Sequence, residues 1–524
     1  MKKIFNKPLI VLALTLAMLV LPMSGVFAQD TQPVDPAIAD LSMGLNILWV
    51  FFAAVLVFFM QAGFALVETG FTRAKNVAHT MMMNLMVFCI GAIGYWLTGF
   101  AFQFGGVNHV FPAVGSLGEW AFSPITLGDW AGILDKPLLI GGHQVLGLSG
   151  FLLSGLTANV GVLVFFMYQM FFMDTAATIP TGSMAERLKF SGFVLMGLFV
   201  SMIIYPIVGN WVWGGGWLAN LGRTAGLGSG VVDFAGSGVV HMVGGALGLA
   251  GAIVLGPRIG KFNKDGTANA IPGHNFPMGV LGTVILFFGW FGFNAGSSLG
   301  FLGGFRNLAG LAAVNTLLAG AAGGMATMFY MWFIHKLRKP DPAMSVNGLL
   351  AGLVAVTAPC AFIDPLSAVI IGIIAGIVVV FATETLEKFK IDDPVGAVPV
   401  HLVGGALGVL AVGIFANGNP DSAGWNGIAT PVTGLLYGNA GQLLAQSLEL
   451  LSVLVVVFPL AFGFFKLLSA LNLLRSDATH EIEGLDVPEM GTPGYINEDP
   501  VAGKVYVPAK GKKPAGVLSP SAAD

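Results

Sequence analysis

The sequence predicts an all-α polytopic membrane protein with eleven transmembrane helices and an inverted five-helix repeat. Three observations carry that reading. Of the 524 residues, 55% are hydrophobic and 10% charged, where soluble globular chains carry about a quarter charged. Mean hydropathy is +0.82, and the apolar residues fall into stretches of roughly 20, enough to cross a bilayer. Two glycine-rich segments, each carrying one histidine, recur five stretches apart. The balance of 24 basic against 27 acidic residues argues against a nucleic-acid partner. Two cysteines, Cys89 and Cys360, exclude a disulfide scaffold.

Residues 1–28 read as a signal peptide. Lys2, Lys3 and Lys7 flank the start of an apolar run from Pro8 to Leu21, and the small residues Val26 and Ala28 precede Gln29, the pattern of an exported chain. An uncleaved first helix is the alternative. Residues 29–42, with Pro33 and Pro36, form an external lead-in. Spans follow near 43–66, 77–104, 158–182, 190–211, 233–255, 276–297, 308–335, 345–360, 364–385, 396–417 and 443–472, so that 43–473 is one membrane domain. With the start outside, the loops after the odd-numbered spans are cytoplasmic. They hold Arg73, Lys75, Arg187, Lys189, Arg258, Lys261, Lys264, Lys336, Arg338, Lys339, Lys388 and Lys390, against Lys136, Arg223 and Arg306 opposite. That is a strong positive-inside bias. The 74 glycines, in runs such as Ala319–Gly324, suit close helix packing in lipid.

In the fifth span, Asp233-Phe-Ala-Gly-Ser-Gly-Val-Val-His241 leads into Met-Val-Gly-Gly-Ala-Leu-Gly. In the tenth, Asp393-Pro-Val-Gly-Ala-Val-Pro-Val-His401 leads into Leu-Val-Gly-Gly-Ala-Leu-Gly. Each histidine stands eight residues after an aspartate. A five-span unit is odd, so its second copy is inverted, and inverted repeats place a substrate path between the halves near mid-membrane. A lone intramembrane histidine is as readily a structural hydrogen bond between helices. Two at equivalent positions point to a pore, because ionisable groups in a bilayer are costly and mark pathways. No acidic residue or cysteine stands at ligand spacing beside either one, and zinc takes four ligands, so no metal is expected. His79, His109, His143, His274, His335 and His480 lie near span ends, in loops or in the tail, with no expected role.

Further motifs join these: Gly63-Phe-Ala-Leu-Val-Glu68, Arg73-Ala-Lys-Asn76, Ala185-Glu-Arg187, Gly289-Trp-Phe-Gly-Phe-Asn-Ala-Gly-Ser297 and Asp392-Asp-Pro394. Together with the Asp233–His241 segment they resemble the ammonium transporter family, related to the Rh proteins, in order from about residue 43 to 495. The resemblance implies a homotrimer in the lipid bilayer, one eleven-helix pore per subunit, and ammonium nitrogen conducted inward. It implies an external vestibule lined by Trp213, Ser297, Tyr168 and Phe172, a gate of Phe172 and Phe293, and the pore histidines His241 and His401. Tyr168 stands where the family usually has phenylalanine, and its hydroxyl is expected to tune affinity or bind water. Asp174, two residues past Phe172, replaces a common small residue and is a candidate partner for a nearby backbone or hydroxyl group. Asp233 aligns near the vestibule, where capping of the fifth span is favoured over direct ion coordination. Glu68 is expected to serve helix packing or to pair with Arg73 or Lys75.

Elementary physics fits this layout. Ammonium has four donors and no acceptor, and a cation over an aromatic face gains about 0.5–2 kcal/mol. Moving a bare ion into hydrocarbon costs tens of kcal/mol by Born estimates. A vestibule of rings therefore selects the ion without carrying it through an apolar gate. Desolvation lowers an amine's pKa, so losing the proton at the gate is the low-energy route for nitrogen. Potassium has no proton to lose.

Residues 474–524 form the cytoplasmic tail. Glu483-Gly484-Leu485-Asp486, then Glu489, Gly491 and Tyr495, resemble the family's regulatory tail, with Met490 and Thr492 replacing a common histidine and glutamate. A PII-type signalling protein is the partner implied at that face. From Asn497 the Pro, Lys, Gly and Ala content reads as disorder. No nucleophile, metal or cofactor constellation supports an enzyme. The expectation is an ammonium transporter of a bacterial inner (plasma) membrane, N-terminus outside and C-terminus cytoplasmic. An ammonium sensor with little conduction is the alternative; an Rh-like gas channel is opposed by Trp213 and Ser297.

Overall fold

A computed structural model describes residues 36–107, 110–111, 115–116 and 133–495. The expected signal peptide, most of the expected lead-in and the segment from Asn497 lie outside the described residues. The chain divides into two compact units, Met1–Leu41 and Ser42–Asp524, and the account below concerns the second.

Eleven apolar helices are labelled in chain order: α1 Pro36–Phe71, α2 Ala74–Phe104, α3 Val160–Met184, α4 Phe190–Val212, α5 Ser237–Leu255 and α6 Phe276–Ser298. They continue as α7 Gly304–Ile334, α8 Pro342–Thr357, α9 Pro365–Lys388, α10 Val398–Phe415 and α11 Ala440–Ala470. Ten are long and apolar enough to cross a membrane; α8, at 16 residues, falls short of that length. Its start is fixed by Asp341, whose side chain accepts from Met344 N, with Pro342 at the first helical position; Asp364 and Pro365 start α9 in the same way. An Asp cap satisfies an orphan N–H, and proline there loses no hydrogen bond. The loop between α2 and α3 departs from the all-α expectation. It holds a hairpin, Pro137–Ile140 with His143–Gly147, and a shorter pair, Val110–Phe111 with Gly115–Ser116.

The loops sort onto two faces. After α1, α3, α5 and α9, Arg73, Glu186, Arg258 and Asp392 meet in one buried ion network. The loop after α7 joins that side, where His335 Nε2 stands 3.0 Å from Glu384 Oε1 of α9. On the other side the α2–α3 hairpin sends Gln144 Nε2 to Gly214 O (2.7 Å) beyond α4, and Trp425, after α10, donates to Ser297 O at the end of α6 (2.7 Å). Asn417 N donates to Phe362 O at 2.9 Å, which brings the far end of α8 to this second face. The chain thus alternates between a basic-loop face and an opposite one.

The histidine-bearing α5 is the most enclosed long helix, 83% of its apolar window being buried, against 28% for α11. Glycine explains how α5 and α10 cross. A Cβ on Gly245 would stand 2.4 Å from Leu402 N, and one on Gly405 would stand 2.4 Å from Ser237 O and 3.0 Å from Met242 N. In each copy the glycine four residues after the histidine lies on the other helix's backbone beside its histidine. The Gly-Gly repeat therefore permits backbone-to-backbone approach.

Candidate functional site

Asp233 accepts from Gly236 N (2.8 Å) and Ser237 N (3.0 Å) through Oδ1, and from Gly238 N (2.9 Å) and Val239 N (3.0 Å) through Oδ2. Asp393 accepts from Gly396 N, Ala397 N and Val398 N at 2.7–3.1 Å. Both carboxyls are saturated by the first peptides of a helix, the geometry of an N-terminal cap. The third residue after each aspartate is a glycine in the left-handed region, Gly236 at φ 110° and Gly396 at φ 78°, a conformation costly for any residue with a Cβ. Both capped segments open as π-helical turns, Ser237–Met242 and Val398–Val403, a widened geometry frequent at functional sites.

These turns present the two histidines to each other. His241 Nδ1 and His401 Nδ1 are 3.1 Å apart, so one ring donates and the other accepts, and the contact excludes a proton on both facing nitrogens. Both rings are buried, and His241 Nε2 has no hydrogen-bond partner among the described residues. No third metal-type ligand joins them among the described residues. His241 stacks against Trp290 (centroids 5.3 Å apart) and Phe293 (5.5 Å). Phe293 stacks in turn on Phe172 at 4.0 Å and 18°.

Beyond Phe172 lies a recess lined by Tyr168, Phe172, Trp213 and Ser297, together with Gln169 and Trp425. Trp213 Nε1 donates to Asp233 O at 2.7 Å, so the capping residue also anchors a ring of this recess. The Tyr168 hydroxyl does not face open space. It lies 3.0 Å from Ser297 Oγ and within 3.1–3.3 Å of Phe293 O and Gly292 O, so its hydrogen bonds go to α6. Trp425 was not legible as a site residue. It stands alone in Gly424-Trp-Asn-Gly427, and the only local signal was a turn of strained backbone, with Asn426 at φ 48° between Gly424 and Gly427 at positive φ.

Two other expectations concern buried acids. Of the two roles expected of Glu68, helix packing is the one its contacts show, and it pairs with neither Arg73 nor Lys75. Arg73 instead pairs with Glu186, and Glu68 accepts from Thr181 Oγ1 (2.8 and 2.9 Å) and Asn84 Nδ2 (3.0 Å). Asp174 Oδ1 is buried without a hydrogen-bond partner among the described residues, so the backbone or hydroxyl partner foreseen for it is not found at that atom. Its main-chain carbonyl accepts from Thr178 Oγ1 at 2.8 Å.

The tail motif folds back on the basic-loop face. Asp486 accepts from His79 N (2.9 Å) and Gly494 N (3.0 Å), and Leu485 N donates to Asn76 Oδ1 (3.0 Å). Gly484, at φ 121°, lies where a Cβ would meet Lys75 O at 2.4 Å, while Glu483 is exposed. Burial raises the Glu489 carboxyl, but the His79 ring, with Nε2 at 3.3 Å, and the hydrogen bond from Phe190 N outweigh it and hold it below the usual range.

The chain is similar to known proteins along most of its length. The model of the Ammonium Transporter Family matches residues 48–495. "Ammonium transporter Amt2" of Archaeoglobus fulgidus is 40% identical over 92% of this chain and 94% of its own length. "Ammonium transporter 1 member 3" of Solanum lycopersicum is 35% identical over 87% and 94%. A solved structure titled "Sensor Amt Protein" superposes with TM-score 0.72 at 35% identity, covering 86% of this chain and 99% of that one. The crystal structure of Candida albicans Mep2 gives 0.65 at 26% identity over 83% and 86%. The chain belongs to the ammonium transporter family, a class of membrane transport proteins and not of enzymes.

Proposed function

We propose that the chain recruits NH4+ in the recess of Trp213, Ser297, Tyr168 and Phe172, strips a proton at the Phe172–Phe293 gate and passes ammonia along His241 and His401 to the cytoplasm. The observation that carries this is the stacked phenylalanine pair leading directly to a buried His–His contact. The rings supply cation–π attraction of about 0.5–2 kcal/mol each, too little to offset full dehydration of an ion. Past the gate the imidazoles offer one donor or one acceptor at a time, which suits a neutral amine. The reading takes α8 as an eleventh span, because its ends meet opposite faces, and treats the two Asp-to-His units as copies inverted across the membrane. A homotrimer, and a PII-type regulator at the basic-loop face beside Glu483–Asp486, belong to the same reading through family membership.

Likeness to the structure titled "Sensor Amt Protein" favours a second reading, an ammonium sensor with little conduction. The two separate on a solid-supported membrane carrying proteoliposomes, with His241→Leu and His401→Leu alongside. A saturable current for ammonium and not potassium, altered in both variants, is the expected outcome. Binding without current or labelled-nitrogen flux would favour the sensor, and flux without current a neutral ammonia channel.

A further inference from the structure

Past His401 the lane does not open directly onto the basic-loop face. It enters a second recess lined by His401, Phe64, Glu68, Asn347, Gly396 and Val400. Phe64 stands with its ring 6.2 Å from that of His401, and Glu68 follows one turn further along α1. Glu68 is 2% exposed, and no lysine or arginine pairs with it among the described residues. Its carboxyl is instead oriented by Thr181, which reaches both oxygens, and by Asn84. A buried carboxyl without a countercharge is costly to ionise, and here it borders the space that a neutral amine enters on leaving His401. This is the arrangement of a proton donor waiting for a base.

The geometry points to Glu68 as the proton-exchange and cation-binding group at the inner end of the lane, a deepening that rests on the conduction reading above. The Glu68 carboxyl gives its proton to ammonia arriving from His401. An N–H bond forms as the O–H bond breaks, leaving a carboxylate against NH4+. The ammonium departs toward the basic-loop face. The carboxylate is reloaded through His401 by the proton released at the gate, so one charge moves with each nitrogen. The titratable groups facing Glu68 across this recess are His401 on α10 and Asp393, whose carboxyl caps the Gly396–Val398 turn.

The test uses the full chain in liposomes, measuring current and labelled-nitrogen flux together after an ammonium jump. Glu68→Gln keeps the shape and an acceptor for Thr181 but has no proton to exchange. The expected result is a fall of about tenfold or more in charge moved per nitrogen, with thermal stability unchanged. Glu68→Asp restores current with a shifted dependence on lumenal pH. Wild-type current in Glu68→Gln would overturn the proposal. So would equal loss of current and flux in a folded Glu68→Gln protein, which would make the residue a pore spacer. Wild-type flux without current would also sink it while leaving transport intact. A wild-type protein with neither current nor flux would instead defeat the conduction reading.

Discussion

Between Phe172 and His401 the polar atoms are few, uncharged in their contacts and incompletely bonded, with His241 Nε2 left open. At the basic-loop face, by contrast, Arg258 alone reaches Asp392 Oδ2 (2.8 Å), Asp392 Oδ1 (3.0 Å) and Glu186 Oε1 (3.0 Å). Arg187 adds hydrogen bonds to Gly256 O (2.9 Å) and Asp392 O (2.7 Å), and the tail's Glu481 takes Arg475 at 2.8 Å. This stretch is held in place by shape, through glycine contacts and stacked rings, and leaves hydrogen-bonding capacity unspent. The face is held by charge, joining loops from both halves. A site that must release its ligand leaves polar atoms open, and a joint that must not slip closes them.

The comparison breaks most severely at Arg258. Arg258→Ala leaves Asp392 and Glu186 buried without this partner, and removing one member of a buried ion pair costs about 3–5 kcal/mol. Thermal unfolding in detergent should show that loss, while the surviving folded protein keeps its preference for ammonium over potassium. Gly245→Ala attacks the other side. Its Cβ would press on Leu402 N at 2.4 Å, an overpacking that costs about 1–3 kcal/mol. Here transport should fall further than stability, because the displaced atom lies beside His401; equal falls in both would show that the crossing does not set the histidine contact.

The gentlest perturbation is pH. Burial raises the Asp392 carboxyl, but the Arg258 hydrogen bonds and the Arg187 and Arg258 charges outweigh it and hold it at about 2. A carboxyl depressed in the folded state stabilises the fold above its unfolded pKa of about 3.9. That contribution, about 2.6 kcal/mol at most, is lost as pH falls from about 4 toward 2. Unfolding followed across that interval should flatten in Asp392→Asn; an unchanged slope would remove Asp392 from the network's acid sensitivity.

Much of this was legible in sequence, for reasons that differ by residue. Ten spans follow from unbroken apolar length, which needs no knowledge of neighbours. The histidine pair follows from repetition, since two copies of one segment say that both positions matter. α8 was harder, because its apolar run is cut by Pro342 at one end and by the turn around Ala358–Ile363 at the other. Glu68 reads in sequence as either a helix-packing or an ion-pairing group, and the partner that decides for packing, Thr181, lies 113 residues away. Arg73 found its own partner at the same separation, in Glu186. Trp425 stayed hidden because a single ring in a loop carries no periodicity. In each failure the deciding contact was remote in the chain, and pattern reading weighs only what is near.

The paired caps have a consequence for how this chain can vary. Between Asp233 and His241, and between Asp393 and His401, the intervening residues agree only at Gly236 with Gly396 and at Val240 with Val400. What the copies preserve is a count. Adding or deleting one residue in either interval would swing the imidazole by about 100° around its helix, away from its twin, whatever residue was gained or lost. The interval therefore acts as a molecular ruler, tolerant of spelling and intolerant of length, and drift within it should run through substitutions and never through insertions.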